Sequence, residues 1–370
     1  MDKKMKILYF APIYFHDMKQ RPQQIAELLA QDNIVYYVEP TISFIRQILK
    51  GGMKCTGKKE KITEQLQVIR LNGCCTMHKS LEIYDILGVN NISEIMQLRS
   101  LVKVCDIIWV GYSGWYTVVR HFANKIIIFD KMDEEELLVS SKSLKYTLKR
   151  NMKKMVEISD YMVVTCQKFY QEMKRLDKSV ELIRNGVSAG FTKRMSDSLI
   201  SYAPIKVLRR IGYIGTISDW FDYEVIHTIL NTNEICEIIL VGRNHLPELD
   251  NPRIKYMGIK KNEELPGIIK TFDLCLYNFK KIPLLDTINP VKIYEYLSMN
   301  IPVLAVKSME TIILNDYLML YENMNDVVLA LNGNIKRPFK DEEARLSFIN
   351  SNSWEARVNQ VNKILDKLEA

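Results

Sequence analysis

The sequence predicts an α/β protein made of two doubly wound, parallel-sheet domains. Short apolar runs of strand length alternate with helix-patterned stretches from end to end, the order that builds repeated βα units. Midway, a stretch rich in small polar residues and glycine breaks the alternation, which then restarts. At 370 residues the chain also exceeds one typical core, and 47% hydrophobic with 26% charged residues is ordinary globular composition.

In the first half, the runs Lys6–Ala11, Ile34–Val38, Leu66–Leu71, Asp106–Gly111, Lys125–Asp130, Tyr161–Thr165 and Val180–Ile183 are the expected strands. Between them fall helices over Pro22–Ala30, Ile92–Val104, Leu144–Ile158 and Lys168–Arg175. Arg21 precedes the first helix, just past the first strand's exit, where it can meet a phosphate, an acidic acceptor or only water. Asp130 and Asp133 in "IIIFDKMDEEE" follow a strongly apolar strand, so they are expected at its carboxyl end, facing a cleft. They are candidates for a base or a hydroxyl binder, with capping of the next helix as the plainer role.

The segment "RNGVSAGFTKRMSDSLISYAP" marks a domain boundary near Asn185–Ala203. Strands are then expected over Lys206–Ile214, Ile238–Gly242, Ile254–Gly258, Leu274–Phe279 and Val303–Val306. Helices are expected over Asp222–Leu230, Glu263–Lys270, Pro290–Met299 and Asn325–Leu331. Doubly wound sheets bind ligands outside the carboxyl ends of their strands, which places Gly215, Thr216, Arg243 and the helix start at Asn289 on one edge. "GYIGTISDWFD" is a plain βα turn or a backbone cradle for phosphate at Gly215 and Thr216, with Arg243 of "LVGRN" adding a positive charge.

The stretch "NPVKIYEYLSMNIPVLAV" has helix-start chemistry: Asn289 as N-cap, Pro290 at the first helical position, then Val291 and Lys292 in the first turn. Asn300 and Pro302 end the helix. Lys292 and Glu295, three residues apart, share one exposed face; the lysine sits where free N–H groups favour an anion, and the glutamate can accept from a diol such as a ribose. Phosphate plus ribose means a nucleotide. The alternative is a capped helix carrying a solvated Lys–Glu pair. After the cap "NSW", Val358, Val361, Leu365 and Leu368 give the last helix an apolar face that either domain can cover.

Several classes are excluded. No apolar segment reaches the roughly 18 residues of a membrane span, and the apolar start is short, contains Pro12 and lacks a small-residue cleavage site, so a buried first strand explains it better than a signal peptide. Seven cysteines without a CxxC spacing give no disulfide framework or metal site, which points to a reduced, cytoplasmic protein. The five histidines have no metal spacing. There is no GxGxxG or DxD, and "GGMKCTGKK" misses a P-loop because Lys59 stands where a hydroxyl must bind magnesium. A metal-independent phosphate site fits better. The charge of +7 is concentrated in "FIRQILKGGMKCTGKKEK" and "SLKYTLKRNMKKMVEI", the second a basic amphipathic helix with Leu144, Leu148, Met152 and Met155 on its other side. Its basic face is a solvated surface or a contact for anionic headgroups. Nucleic acid is disfavoured, since aromatics are not interleaved with these charges.

With "RPQQIAELLA", "IIIFDKMDE", "LIRNGV", "GYIGTISDWFDYEVI", "IKYMGIKKNEELPGIIKTFDLCLYNF" and "NPVKIYEYLSMNIPVLA" in hand, the chain resembles GT-B glycosyltransferases over nearly its whole length. The resemblance is to the bacterial retaining group that builds capsules, exopolysaccharides and teichuronic-type polymers. It implies two Rossmann-like domains: residues 1–190 for a saccharide or lipid-linked acceptor, 203–350 for a nucleotide-sugar donor, and 351–370 as a helix crossing back to the first. It implies sugar transfer of hexosyltransferase type at the inner face of the cytoplasmic membrane, with the nucleotide sugar as substrate, no cofactor and no metal. Glu295 resembles the second glutamate of the family's Glu-x7-Glu motif, which holds the ribose; the first glutamate's place is taken by Thr287. The family's Arg and Lys after the second domain's first strand are missing from "GTISDWFD", leaving Thr216, Lys292 and Arg243 for the diphosphate. Retention would resemble front-face transfer, in which the leaving diphosphate helps deprotonate the acceptor. A nucleotide-sugar epimerase of the same shape and a catalytically silent nucleotide-sugar-binding partner are the alternatives. Isomerised donor without acceptor distinguishes the first, tight nucleotide binding without turnover the second.

Overall fold

The computed structural model describes residues 4–17, 19–43, 59–73, 90–122, 124–187, 189–192 and 200–369. The near-miss P-loop up to Lys58, most of the first basic stretch (Arg46, Lys50, Lys54 and Lys58), the Cys74–Cys75 pair and His78 lie outside them. The chain divides into two compact units, one reaching Arg184 and regaining the chain from Val358, the other spanning Asn185–Arg357.

The first unit is built on an eight-stranded sheet. In chain order its strands are β1 (Lys6–Phe10), β2 (Ile34–Val38), β4 (Lys59–Lys61), β5 (Leu66–Ile69), β7 (Ile107–Val110), β8 (Ile126–Lys131), β9 (Tyr161–Val164) and β10 (Val180–Leu182). The short pair β3 (Ile42–Ser43) and β6 (Asn72–Gly73) stands apart. The spatial order is β10-β9-β8-β7-β1-β2-β5-β4, parallel except for β4, which runs antiparallel to β5. Central strands are apolar at every position because both faces are covered, as in β7, whose four residues are all buried. One register line reads Tyr37, Tyr9, Trp109, and the rings stack at 5.5 and 5.9 Å. The basic helix Lys142–Ile158, capped by Ser141, buries Leu144, Leu148, Met152 and Met155 against this core. Lys145, Lys149, Arg150, Lys153 and Lys154 are exposed on its far side.

The second unit is a six-stranded parallel sheet ordered β13-β12-β11-β14-β15-β16. The strands are β11 (Arg210–Ile214), β12 (Glu237–Val241), β13 (Ile254–Tyr256), β14 (Leu274–Tyr277), β15 (Val303–Val306) and β16 (Met319–Tyr321). β11 starts four residues later than its pattern suggests, because pairing with β12 begins only at Arg210 and Glu237. Helices Tyr223–Thr232, Leu265–Ile269, Val291–Ser298 and Met324–Asn332 cover the sheet, and the sequence reading missed both edge strand β16 and helix Glu342–Asn352. The final helix, Trp354–Glu369, begins after Ser353, whose Oγ accepts from the N–H of Ala356 at 3.1 Å. It starts in the second unit, and from Val358 it belongs to the first, with Val358, Val361, Ile364 and Leu365 buried.

Candidate functional site

The carboxyl edge of the second sheet gathers the residues singled out there. Ile214 pairs with Val241, so the chain leaves β11 and β12 side by side through Gly215 and Gly242. Both glycines have positive φ, 158° and 141°, and a Cβ on Gly242 would stand 2.0 Å from the Gly215 carbonyl oxygen. Only glycine lets the two backbones approach this closely. The approach also corrects an expectation. The Gly215 N–H donates to Val241 O and the Ile217 N–H to Arg243 O, both at 2.9 Å, so these donors stitch the two loops together and form no phosphate cradle. The Tyr213 hydroxyl donates to Thr216 O at 3.0 Å, which leaves the Thr216 side chain exposed, as Arg243 is.

Helix Val291–Ser298 packs against the same strand end. Its Tyr296 hydroxyl accepts from the Ile214 N–H at 2.8 Å and donates to Ile214 O at 3.3 Å, and burial pushes that phenol well above its usual pKa. Tyr296 thus fixes the helix one residue from Gly215. Sequence alone offers no signal for this, since an aromatic beside Glu295 looks like any core residue. Lys292 Nζ donates to Glu295 Oε2 at 2.8 Å. The lysine side chain is 33% exposed and the glutamate only 5%, so the pair is a half-buried lysine on a buried carboxylate, not the exposed face expected.

The expected cap is also corrected. Pro290 occupies the N-cap position without a side-chain hydrogen bond, and Val291 is the first helical residue. Asn289 is held elsewhere: its Oδ1 accepts from the Asn185 N–H at 2.9 Å and its Nδ2 donates to buried Glu310 at 2.9 Å. Thr287, buried in the preceding turn, donates its hydroxyl to Leu284 O at 2.7 Å. A lysine and a buried carboxylate therefore stand in the first turns of a helix beside a Gly–Thr turn, with the Val291 and Ile293 N–H groups already donated to Asn289 O and Pro290 O at 3.0 Å. That arrangement can hold an anion next to a diol.

In the first unit the candidates are placed differently. Asp130 is wholly buried and receives Arg21 Nη2 at 2.9 Å and Nε at 3.0 Å, while Arg21 Nη1 donates to Ile183 O at 2.9 Å. Arg21 is committed to Asp130 and backbone carbonyls, and neither side chain faces a cleft as a phosphate contact or a base. Asp133 lies partly buried in the bend after β8, and the next α-helix is capped by Ser141 instead. Lys131, unremarked in the sequence, is buried with its Nζ 3.3 Å from Glu134 and 3.4 Å from the centre of the Phe169 ring. Among the described residues no group of His, Cys, Asp and Glu could hold a metal ion, and no helix is long and apolar enough to cross a membrane.

No protein-family model matches the sequence, and no curated protein matches it. Solved structures do match. Sucrose-phosphate synthase from Thermosynechococcus elongatus is similar at a TM-score of 0.66 and 13% identity, over 99% of each chain. Anabaena Alr3699/HepE in complex with UDP-glucose is similar at 0.62 and 15% identity, over 98% of this chain and 100% of that one. The catalytic domain of starch synthase IV from Arabidopsis thaliana, bound to ADP and acarbose, is similar at 0.63 and 11% identity, over 98% and 99%. The chain has the GT-B fold. Two parallel α/β units and a last helix that returns to the first account for it. In GT-B terms, the Lys292–Glu295 helix and the Gly215 turn belong to the second unit, Arg21 and Asp130 to the first.

Proposed function

We propose that this GT-B protein is a glycosyltransferase that takes a nucleotide diphosphate sugar in its second unit and passes the sugar to a saccharide or lipid-linked acceptor held by the first. The observation that carries this is the buried Glu295 carboxylate paired with Lys292 in the first turns of helix Val291–Ser298, fastened by Tyr296 to the strand end before Gly215. Glu295 accepts from the ribose hydroxyls, while Lys292 and Arg243 offset the diphosphate. The charge that grows on the leaving diphosphate is met by groups already in place, so orientation and electrostatics supply the catalysis and no metal is needed. Similarity to structures in complex with UDP-glucose and with ADP supports a nucleotide-sugar donor, with a UDP-sugar as first choice. Transfer is read as retaining and front-face, since Asp130 is locked to Arg21 and offers no base.

The setting proposed is surface-polysaccharide assembly at the inner face of the cytoplasmic membrane. Six exposed cations on helix Lys142–Ile158, with Tyr146 71% exposed among them and Leu137 and Leu138 exposed just before it, suit an anionic lipid surface. Calorimetric titration with UDP, GDP, dTDP and CDP, each with and without Mg²⁺, tests the donor assignment. One nucleotide is expected to bind without metal. Glu295→Gln is expected to weaken it about 10-fold to 100-fold, the worth of a hydrogen bond to a charged group. Equal affinity in the variant removes the ribose assignment.

A further inference from the structure

The amino-terminal edge of the second sheet, opposite Gly215 and Lys292, carries a second concave site. A groove of about 910 Å³ opens between the segment 334–340, helix Glu342–Asn352 and the residues that enter β11 and β16. Its floor is Tyr317, Phe339 and Phe348, with ring centres 5.0–5.3 Å apart and planes inclined at 44–59°. Rings so inclined leave no flat slot for a planar base. They make an uneven apolar surface, extended by Leu314 and Ile335, which suits a flexible chain.

The rim has one sign of charge. Lys336, Arg337 and Lys340 line the groove, and no acidic side chain does among the described residues. Arg337 donates from Nε to Ala203 O at 2.9 Å and from Nη1 to Asn300 O at 3.0 Å, both neutral carbonyls. Burial holds that guanidinium below the usual arginine pKa, against a smaller pull from Asp273. Lys340 is 88% exposed and comes no nearer than 4.0 Å to Asp341, which caps helix Glu342–Asn352 through Ala344 N. A half-buried cation facing neutral groups gains from an anion beside it.

We propose that the groove binds a single-chain amphiphilic anion, its phosphate-type head on Lys336, Arg337 and Lys340 and its apolar chain on Tyr317, Phe339 and Phe348. The volume is that of an ordinary small-molecule site. The claim stands apart from the donor site, so loss of either leaves the other testable.

The experiment is calorimetric titration of the full chain with n-octyl phosphate below its micelle concentration, alongside n-octanol, inorganic phosphate and UMP. Two variants accompany it: Lys336→Glu/Lys340→Glu reverses the rim, and Ser347→Trp fills the groove from an exposed helix position. Octyl phosphate is expected to bind one to one, more tightly than either of its halves. Affinity is expected to fall at least ten-fold in both variants, whose melting temperatures and UDP titrations match the parent. Equal binding by parent and variants, octanol binding as tightly as octyl phosphate, no binding at all, or UMP binding that the same variants abolish overturns the proposal.

Discussion

Arg21 and Asp130 show what a charged pair does once it is sealed from water. Removing one partner leaves the other buried without compensation, so Asp130→Asn is expected to lose about 3–5 kcal/mol in urea unfolding. Arg21→Met/Asp130→Leu is expected to recover most of that loss; a double variant no more stable than the single one contradicts it. Cys105 is governed by burial too. Its thiol is pushed up to about 12, by burial first and Asp106 second, so it stays protonated near neutrality. In the native protein its alkylation is expected to be far slower than in urea at pH 8, and to rise only as pH climbs towards that value, as read by peptide mass spectrometry. At this scale, local spacing is what the sequence made legible. Lys292 and Glu295 do share a face, because three residues on a helix always bring that about. The engagement of Asn289 was invisible, because its partners Asn185 and Glu310 come from distant segments that preempt the cap. Asp130 misled for the same reason: the carboxyl end of a strand invites a functional reading, and a distant arginine settled it.

Elements were readable in proportion to their burial. Strands covered on both faces, such as β7 and β15, spell continuous apolar runs and were recovered within a residue or two at their ends. Edge strand β4, sequence KEK, has no such run. Helix Glu342–Asn352 buries little more than Arg345, Phe348 and Ile349, so its apolar period is faint. The Gly215–Gly242 crossing makes a further prediction. Gly242→Ala places a methyl group against the Gly215 carbonyl at a φ that L-residues rarely adopt, and a loss of about 3 kcal/mol or more is expected. Because the same two loops carry Thr216 and Arg243, nucleotide affinity is expected to fall with stability. A Gly242→Ala variant that melts with the parent contradicts the close approach.

Over the whole molecule, the two-unit α/β plan was the most legible feature, since alternation and its interruption are properties of composition that no single contact decides. The second unit's limits were less so. Near its start, Val187 N–H donates to Asn352 O at 2.8 Å, and Arg357 donates to Asn185 O at 3.1 Å, so the entering and leaving segments of that unit are bonded together. Contacts this far apart in sequence leave no local mark. Removing residues from Val358 onward takes away Val358, Val361, Ile364 and Leu365, four buried side chains of the helix that belongs to the first unit. At roughly 1.5 kcal/mol or more for each buried side chain, the truncated protein is expected to unfold its first unit at a distinctly lower temperature and to bind a hydrophobic dye there. A truncation that melts like the parent contradicts the assignment of that helix.

The returning helix also sets an order of events during synthesis. A chain leaving the ribosome carries nearly all of the first unit early, yet the helix that completes it is translated after the whole of the second unit. The second unit, contiguous from Asn185 to Arg357, has all its parts before then. Of the two units, the one that emerges first is therefore the one completed later, and until the returning helix emerges the surface it covers is left to whatever attends the nascent chain.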